Sequence, residues 1–167
     1  GLGFAEASGL PFEIGLVRSH YAERTFIEPE QAVRDFGVRL KLNAVREIIC
    51  GKRVVAVDDS IVRGTTSKKL VAMLREAGAL EVHLRSSCPP IKHPCLYGMD
   101  FPTHEELIAH GRSTEEIRDY VRADSLAYLS YQGMYRAWFA AHDVSRTSYT
   151  ACDACFTGEY PTCLTEK

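Results

Sequence analysis

An α/β fold built on a parallel sheet is what this sequence predicts, and three observations carry that prediction. Arg53-Val54-Val55-Ala56-Val57 is a short, continuously apolar, β-branched run, the pattern of a strand buried on both faces. A helical pattern over 66–77 follows, with Leu70, Val71, Met73, Leu74 and Ala77 on one face and Gly78 where a C-terminal cap is expected. Glu81-Val82-His83-Leu84-Arg85-Ser86 then reads as a second strand. Strand, helix and strand within roughly 35 residues make a βαβ unit, whose crossover is nearly always right-handed.

The remaining elements follow in chain order. Gly1-Leu2-Gly3-Phe4-Ala5-Glu6-Ala7 already reads as a helix, ended by Gly9 and Pro11. A domain seldom begins inside a helix that needs packing partners, so the expectation is an N-terminally truncated piece of a longer chain. Residues 12–17 are a candidate strand. Residues 19–41 are rich in Arg, Glu and Gln with little periodicity, and read as a long loop with one short helix after Pro29. Loops of that length are usually lids or disordered segments. Residues 103–109 and 114–121 read as helices, each opened by a Thr with Glu shortly after it. A strand over 125–129 and an amphipathic helix over 132–142 lead into a polar tail. His83, alternating with Val82 and Leu84, is expected on a polar side, and His104 and His110 on the surface. Trp138, with Phe139, Tyr135 and Met134, reads as core packing.

Composition removes several function classes. The 167 residues are 46% apolar and 25% charged, the balance of a globular protein rather than a disordered chain. Twenty basic against 22 acidic residues leave a net charge of −2, so no electrostatic case exists for nucleic acid or an anionic membrane. No apolar run approaches the roughly 18 residues of a spanning helix, and nothing resembles a signal peptide. The expected setting is cytoplasmic. Of six cysteines, Cys152, Cys155 and Cys163 crowd into the C-terminal tail, while Cys50, Cys88 and Cys95 are scattered. A disulfide scaffold would space them evenly. A Cys152-x-x-Cys155 pair instead suits zinc, an iron–sulfur cluster or thiol–disulfide exchange, and spacing alone does not choose among them.

The chemistry concentrates after the first strand. Ligands of open α/β sheets bind outside the carboxyl ends of the strands, where Asp58-Asp59-Ser60-Ile61-Val62-Arg63-Gly64-Thr65-Thr66-Ser67 lies. Gly64 permits a tight backbone turn. Thr65, Thr66 and Ser67 set hydroxyls beside free helix N–H groups, which favour an anion. Adjacent Asp58 and Asp59 repel each other unless hydroxyl groups or a hard cation such as Mg²⁺ separate their charge. An isolated Asp-Asp is ordinarily a pair of solvated acids. The strand before it and Gly-Thr-Thr-Ser after it turn the reading toward a phosphate cradle beside a diol or metal clamp. Neither the Walker pattern nor Gly-x-Gly-x-x-Gly is present.

Val54-Val55-Ala56-Val57-Asp58-Asp59-Ser60-Ile61-Val62-Arg63-Gly64-Thr65-Thr66 closely resembles the phosphoribosyl-pyrophosphate (PRPP) signature of type I phosphoribosyltransferases. Extended through Ser67, it is similar to that of the glutamine PRPP amidotransferases. Arg24-Thr25-Phe26-Ile27, Gly37-Val38-Arg39 and Lys41-Leu42-Asn43 look like that family's PRPP-closing loop. Tyr97-Gly98-Met99-Asp100 and Glu106-Leu107-Ile108-Ala109 look like the stretch after its next strand, so the resemblance covers nearly the whole chain. It implies a type I phosphoribosyltransferase fold, with 1–112 in the PRPP-binding domain and 113–167 as C-terminal helices and tail.

The resemblance further implies that Asp58 and Asp59 hold the ribose hydroxyls and the Mg²⁺ of PRPP, and that Arg63, Gly64, Thr65, Thr66 and Ser67 cradle the 5′-phosphate. Arg24 and Lys41 would close on the pyrophosphate. The iron–sulfur type of this family carries cysteines in the contexts of His93-Pro94-Cys95 and of a C-terminal Cys-x-x-Cys before Phe-Thr-Gly. Cys95, Cys152 and Cys155 match three ligands of its [4Fe–4S] cluster; the fourth, the glutaminase half and the pyrophosphate-binding loop lie upstream in the family. The activity implied is synthesis of 5-phosphoribosylamine from PRPP and glutamine-derived ammonia, opening purine biosynthesis. Purine-nucleotide feedback and a homo-oligomer are implied with it, and this piece alone is expected to be inactive. Two other readings compete: a non-catalytic PRPP-binding regulator of the same fold, lacking here a basic face, and a nucleobase phosphoribosyltransferase, lacking here an acceptor hood.

Overall fold

The computed structural model describes residues 1–18, 42–99, 103–142 and 151–162. Three parallel strands form the sheet, β3 (Arg53–Asp58), β4 (Glu81–Ser86) and β5 (Ser125–Tyr128), in that spatial order. Their register brings Asp58 opposite Ser86 and Ser86 opposite Tyr128. The three strands therefore end level, and their loops share one edge. A separate antiparallel pair, β1 (Leu16–Arg18) and β2 (Leu42–Ala44), lies outside this sheet. Expected strand 12–17 is thus shorter and later than its apolar pattern suggested.

Helix α3 (Thr65–Glu76) is the crossover from β3 to β4, burying Leu70, Val71 and Leu74. Gly78 follows it with φ +96°, where a Cβ would stand 2.9 Å from Cys50 Sγ, so glycine ends the helix for two reasons at once. Helix α4 (Thr114–Val121) carries a full capping box, opened by Ser113 rather than by the expected Thr: Glu116 N–H donates to Ser113 Oγ, and Ser113 N–H to Glu116 Oε2. Ile117 and Val121 join Val82, Leu84, Val71 and Leu74 in one core. Between β4 and α4 the expected helix 103–109 shrinks to a 3₁₀ turn, His104–Glu106. Leu107 leaves it extended, Ile108 and Ala109 follow in a turn closed by His110 N–H donating to Leu107 O at 3.0 Å, and all three are buried.

Burial corrects one expectation for β3. The apolar run Val54-Val55-Ala56-Val57 predicts cover on both faces, yet within it only Ala56 is buried. Strand β3 is the edge of the described sheet, and an edge strand lacks one neighbour's side chains. On its open side, Phe4, Leu10, Phe12, Ile14 and Leu74 line a cavity of ≈ 360 Å³. Helix α1 (Leu2–Ser8), stopped by Gly9 at φ +70°, borders it. Two short elements carried no sequence signal: α2 (Arg46–Ile49) and α6 (Ala154–Thr157). Helix α5 (Tyr131–His142) forms as expected, but Trp138 and Phe139 are only half-buried. No helix among the described residues is long and apolar enough to cross a membrane.

Candidate active site

The carboxyl edge of the sheet holds the predicted loop. Asp58 ends β3, half-buried, and Asp59 beside it is exposed. Burial is the main cause that raises the Asp58 carboxyl above its ordinary value, and the Asp59 charge adds to it. The loop's own hydrogen bonds are few: Asp59 N–H donates to Asp58 Oδ1 at 3.1 Å and Ser60 N–H to Asp59 Oδ1 at 2.6 Å. Two adjacent acids, one of them costly to ionise, form a place where a cation or a pair of hydroxyls lowers the energy.

Six residues on, the chain enters α3 through Gly64 at φ +73°. Gly64 is the N-cap and no side chain caps the helix, so the leading N–H groups have no side-chain partner there. A Cβ at position 64 would stand 2.4 Å from Ile108 Cδ1 and 3.2 Å from Tyr120 Cε1. Ser67 is buried and Thr66 exposed on the first turn. An uncapped N-terminus of a 12-residue helix, with hydroxyls and a glycine turn, is built to receive an anion.

Neighbouring loops complete the edge. Ser87 N–H donates to Asp58 O at 2.8 Å and Ser87 Oγ to Asp59 O at 3.3 Å, tying the loop after β4 to the acids. Cys88, read as an ordinary thiol, sits here: burial raises its pKa, and charge on Asp59 and Asp58 raises it further. Tyr128 at the end of β5 keeps a buried hydroxyl without a partner, and burial pushes it up to about 12. These residues were invisible in a linear reading. The parallel register, which ends the three strands level, is the signal that could have placed them. Arg24 and Lys41 lie outside the described residues, as does Cys163.

The cysteine tail folds back on the loop after β4. Cys155 O accepts from Lys92 N–H at 2.9 Å and His93 N–H at 3.1 Å, and Tyr160 Oη donates to Pro94 O at 2.7 Å. Asp153, between the two tail cysteines, accepts from the hydroxyls of Tyr131 and Tyr135 on α5. Burial pushes the Cys155 thiol up to about 11, and charge on Cys152, Cys95 and Cys88 works in the same direction. The backbone bonds thus bring the tail against the loop that carries Cys95. Among the described residues, however, no three His, Cys, Asp or Glu side chains are grouped to hold a metal ion. His83 binds Ser125 Oγ and Glu81 Oε2, each at 2.9 Å, on the polar side expected for it.

A parallel sheet with paired acids and an uncapped, glycine-entered helix on its carboxyl edge is the type I phosphoribosyltransferase fold. Within that class, the chain is homologous along its length to the amidophosphoribosyltransferases. It is 57% identical to the amidophosphoribosyltransferase of Bacillus subtilis over 161 residues, which are 96% of this chain and 33% of that protein. Identity is 55% with amidophosphoribosyltransferase 1, chloroplastic, of Arabidopsis thaliana, over 99% of this chain and 28% of the relative. It is 50% with the enzyme of Synechococcus elongatus, over 99% and 32%. A solved structure of B. subtilis glutamine PRPP amidotransferase complexed with ADP and GMP matches with a TM-score of 0.79 at 57% identity, over 96% of this chain and 35% of that one. A second structure, described as the allosteric regulatory enzyme of purine biosynthesis, matches at 0.78 and 54% identity, over 96% and 34%. No protein-family model matches the chain. The chain spans about a third of the length of the curated relatives it matches.

Proposed function

We propose that this chain is the PRPP-binding section of an amidophosphoribosyltransferase, in which ammonia derived from glutamine displaces pyrophosphate from PRPP to give 5-phosphoribosylamine. The observation that carries the reading is the juxtaposition of Asp58-Asp59 with the uncapped N-terminus of α3 on one sheet edge. The 5′-phosphate sits on the N–H groups of Thr65, Thr66 and Ser67, where the helix end offers partial positive charge. Asp58 and Asp59 take the ribose hydroxyls and Mg²⁺, which neutralises charge on the pyrophosphate. Arg24 and Lys41 close over that leaving group.

In this reaction the anomeric C–O bond breaks, a C–N bond forms, and the departing pyrophosphate carries the electron pair while the ammonia nitrogen gives up a proton. The transition state has oxocarbenium character. Positioning, charge neutralisation and exclusion of water supply most of the acceleration.

Cys95, Cys152 and Cys155 supply three thiolates to a [4Fe–4S] cluster that ties the tail to the body. The hydrogen bonds joining the tail to Lys92, His93 and Pro94 support this. The sulfurs must approach further, and the family resemblance assigns the fourth ligand to a segment upstream of this chain. Feedback by purine nucleotides and assembly into a homo-oligomer belong to the same reading, and the ADP and GMP in the B. subtilis structure support the first. The compartment is the cytoplasm, although plant relatives are named chloroplastic. Asp58→Asn decides the central point. Calorimetry should show Mg–PRPP binding weakened by about 1–3 kcal/mol, the range for a hydrogen bond to a charged group. Unchanged affinity would remove Asp58 from the site.

A further inference from the structure

Arg63 is the only basic side chain between Asp58 and Ser67, which makes it the obvious phosphate ligand. Its guanidinium is already engaged. Nε donates to Glu106 Oε2 at 2.8 Å, from a residue 43 positions away on the 3₁₀ turn. Two further contacts join the same segments. Ile108 N–H donates to Val62 O at 2.9 Å, and Ile108 Cδ1 fills the space in which a Cβ on Gly64 would stand. Backbone, apolar and ionic contacts therefore run side by side along 62–64 and 106–108.

The loop needs such an external hold. Its internal side-chain hydrogen bonds are confined to Asp58, Asp59 and Ser60, and its helix cap is a glycine without a side chain. An exposed ion pair on two mobile side chains contributes little, because ordering both ends offsets the attraction. Here Leu107 and Ile108 are buried and Ile108 is hydrogen-bonded to the loop, so the backbone carrying Glu106 is ordered already. The electrostatics agree. A carboxylate 2.8 Å from Arg63 cancels its charge and would repel a phosphate brought to the same guanidinium. The anion's demand for donors is met by the N–H groups of α3.

We propose that Arg63 and Glu106 form a strut holding the 58–67 loop in its anion-receiving shape, which makes Arg63 a positioning residue and not a phosphate ligand. The proposal deepens the PRPP-binding reading and rests on it. The test is charge reversal in the full-length gene product, with Mg–PRPP affinity read by calorimetry. Arg63→Glu and Glu106→Arg alone should each weaken binding roughly fivefold, and the double variant should return to within about twofold of the parent. A double variant as weak as Arg63→Glu would overturn the strut, because an arginine at 106 cannot replace a direct phosphate contact from 63. Glu106→Arg binding as well as the parent would overturn it too.

Hydrogen exchange separates this idea from the reading beneath it. Glu106→Ala should speed exchange of the amides at 62–67 whether or not PRPP is the ligand, and unchanged exchange would sink the strut. A parent protein without Mg–PRPP affinity would instead remove the PRPP reading and leave the exchange result to decide the strut.

Discussion

At the scale of single residues, Gly64 shows how one position serves two demands. Its φ of +73° lies in the left-handed region, and the space for a Cβ is taken by Ile108 and Tyr120. Alanine there meets a backbone penalty of roughly 1 kcal/mol and a clash with a buried isoleucine. Gly64→Ala should lower the unfolding free energy by about 1–3 kcal/mol in urea titration, and a loss below about 0.5 kcal/mol would mean that the turn relaxes freely. The glycine was legible as a turn from its neighbours Arg63 and Thr65. What stands behind it was not, because Ile108 and Tyr120 arrive from segments 44 and 56 residues downstream.

At the scale of elements, Asp124 clasps three of them. Its Oδ2 accepts from Val82 N–H at the start of β4 at 2.6 Å and from Arg75 Nη2 at the end of α3 at 2.8 Å, just before β5 begins. The Val82 N–H bond, and after it the Arg75 charge, hold its carboxyl below the ordinary value of 3.8 despite partial burial. A depressed carboxyl contributes stability that is present above its unfolded value and lost as pH falls through the folded one. Asp124→Asn should therefore cost about 1 kcal/mol near neutrality, an amount suited to a half-exposed hydrogen bond. The difference between variant and parent should shrink in acid, below about pH 4. A gap that stays constant down to pH 2 would contradict this role. The sequence showed β4 as a strand, with His83 alternating with Val82 and Leu84, and 125–129 as a strand after it. The clasp between them depended on a tertiary register that alternation does not contain.

At the scale of the whole molecule, the sheet edge and the cysteine tail are two bodies of chemistry joined through the loop after β4. Ser87 touches the acids, and Lys92, His93 and Pro94 bind the tail. If the proposed cluster is present, Cys152→Ser should abolish its iron and brown absorbance in the full-length protein while leaving Mg–PRPP affinity within about twofold, since among the described residues Asp58 and α3 share no hydrogen bond with position 152. Protein that remains brown would exclude Cys152 as a ligand. The cysteine motif itself was plain in the sequence. The return of the tail to the segment before Cys95, more than 50 residues earlier, came from backbone bonds of Lys92 and His93 to Cys155 O.

By itself the sequence determined the βαβ unit, the ends of α3 and β4, and the loop whose residue types suit a phosphate and a cation. Those features are local: apolar periodicity, a glycine with positive φ and an uncapped helix start act within a few residues of one another. Tertiary structure alone decided that 103–109 is a 3₁₀ turn followed by a second turn and not a helix. Its Leu107, Ile108 and Ala109 are buried, Ile108 against the 58–67 loop, and packing outweighs the helical preference of Glu105 and Glu106. It also decided that Arg63 faces Glu106, that Cys88 lies beside the paired acids, and that β3 stands at an edge. Each of these depends on which distant segments share a surface, and no short window of sequence records that.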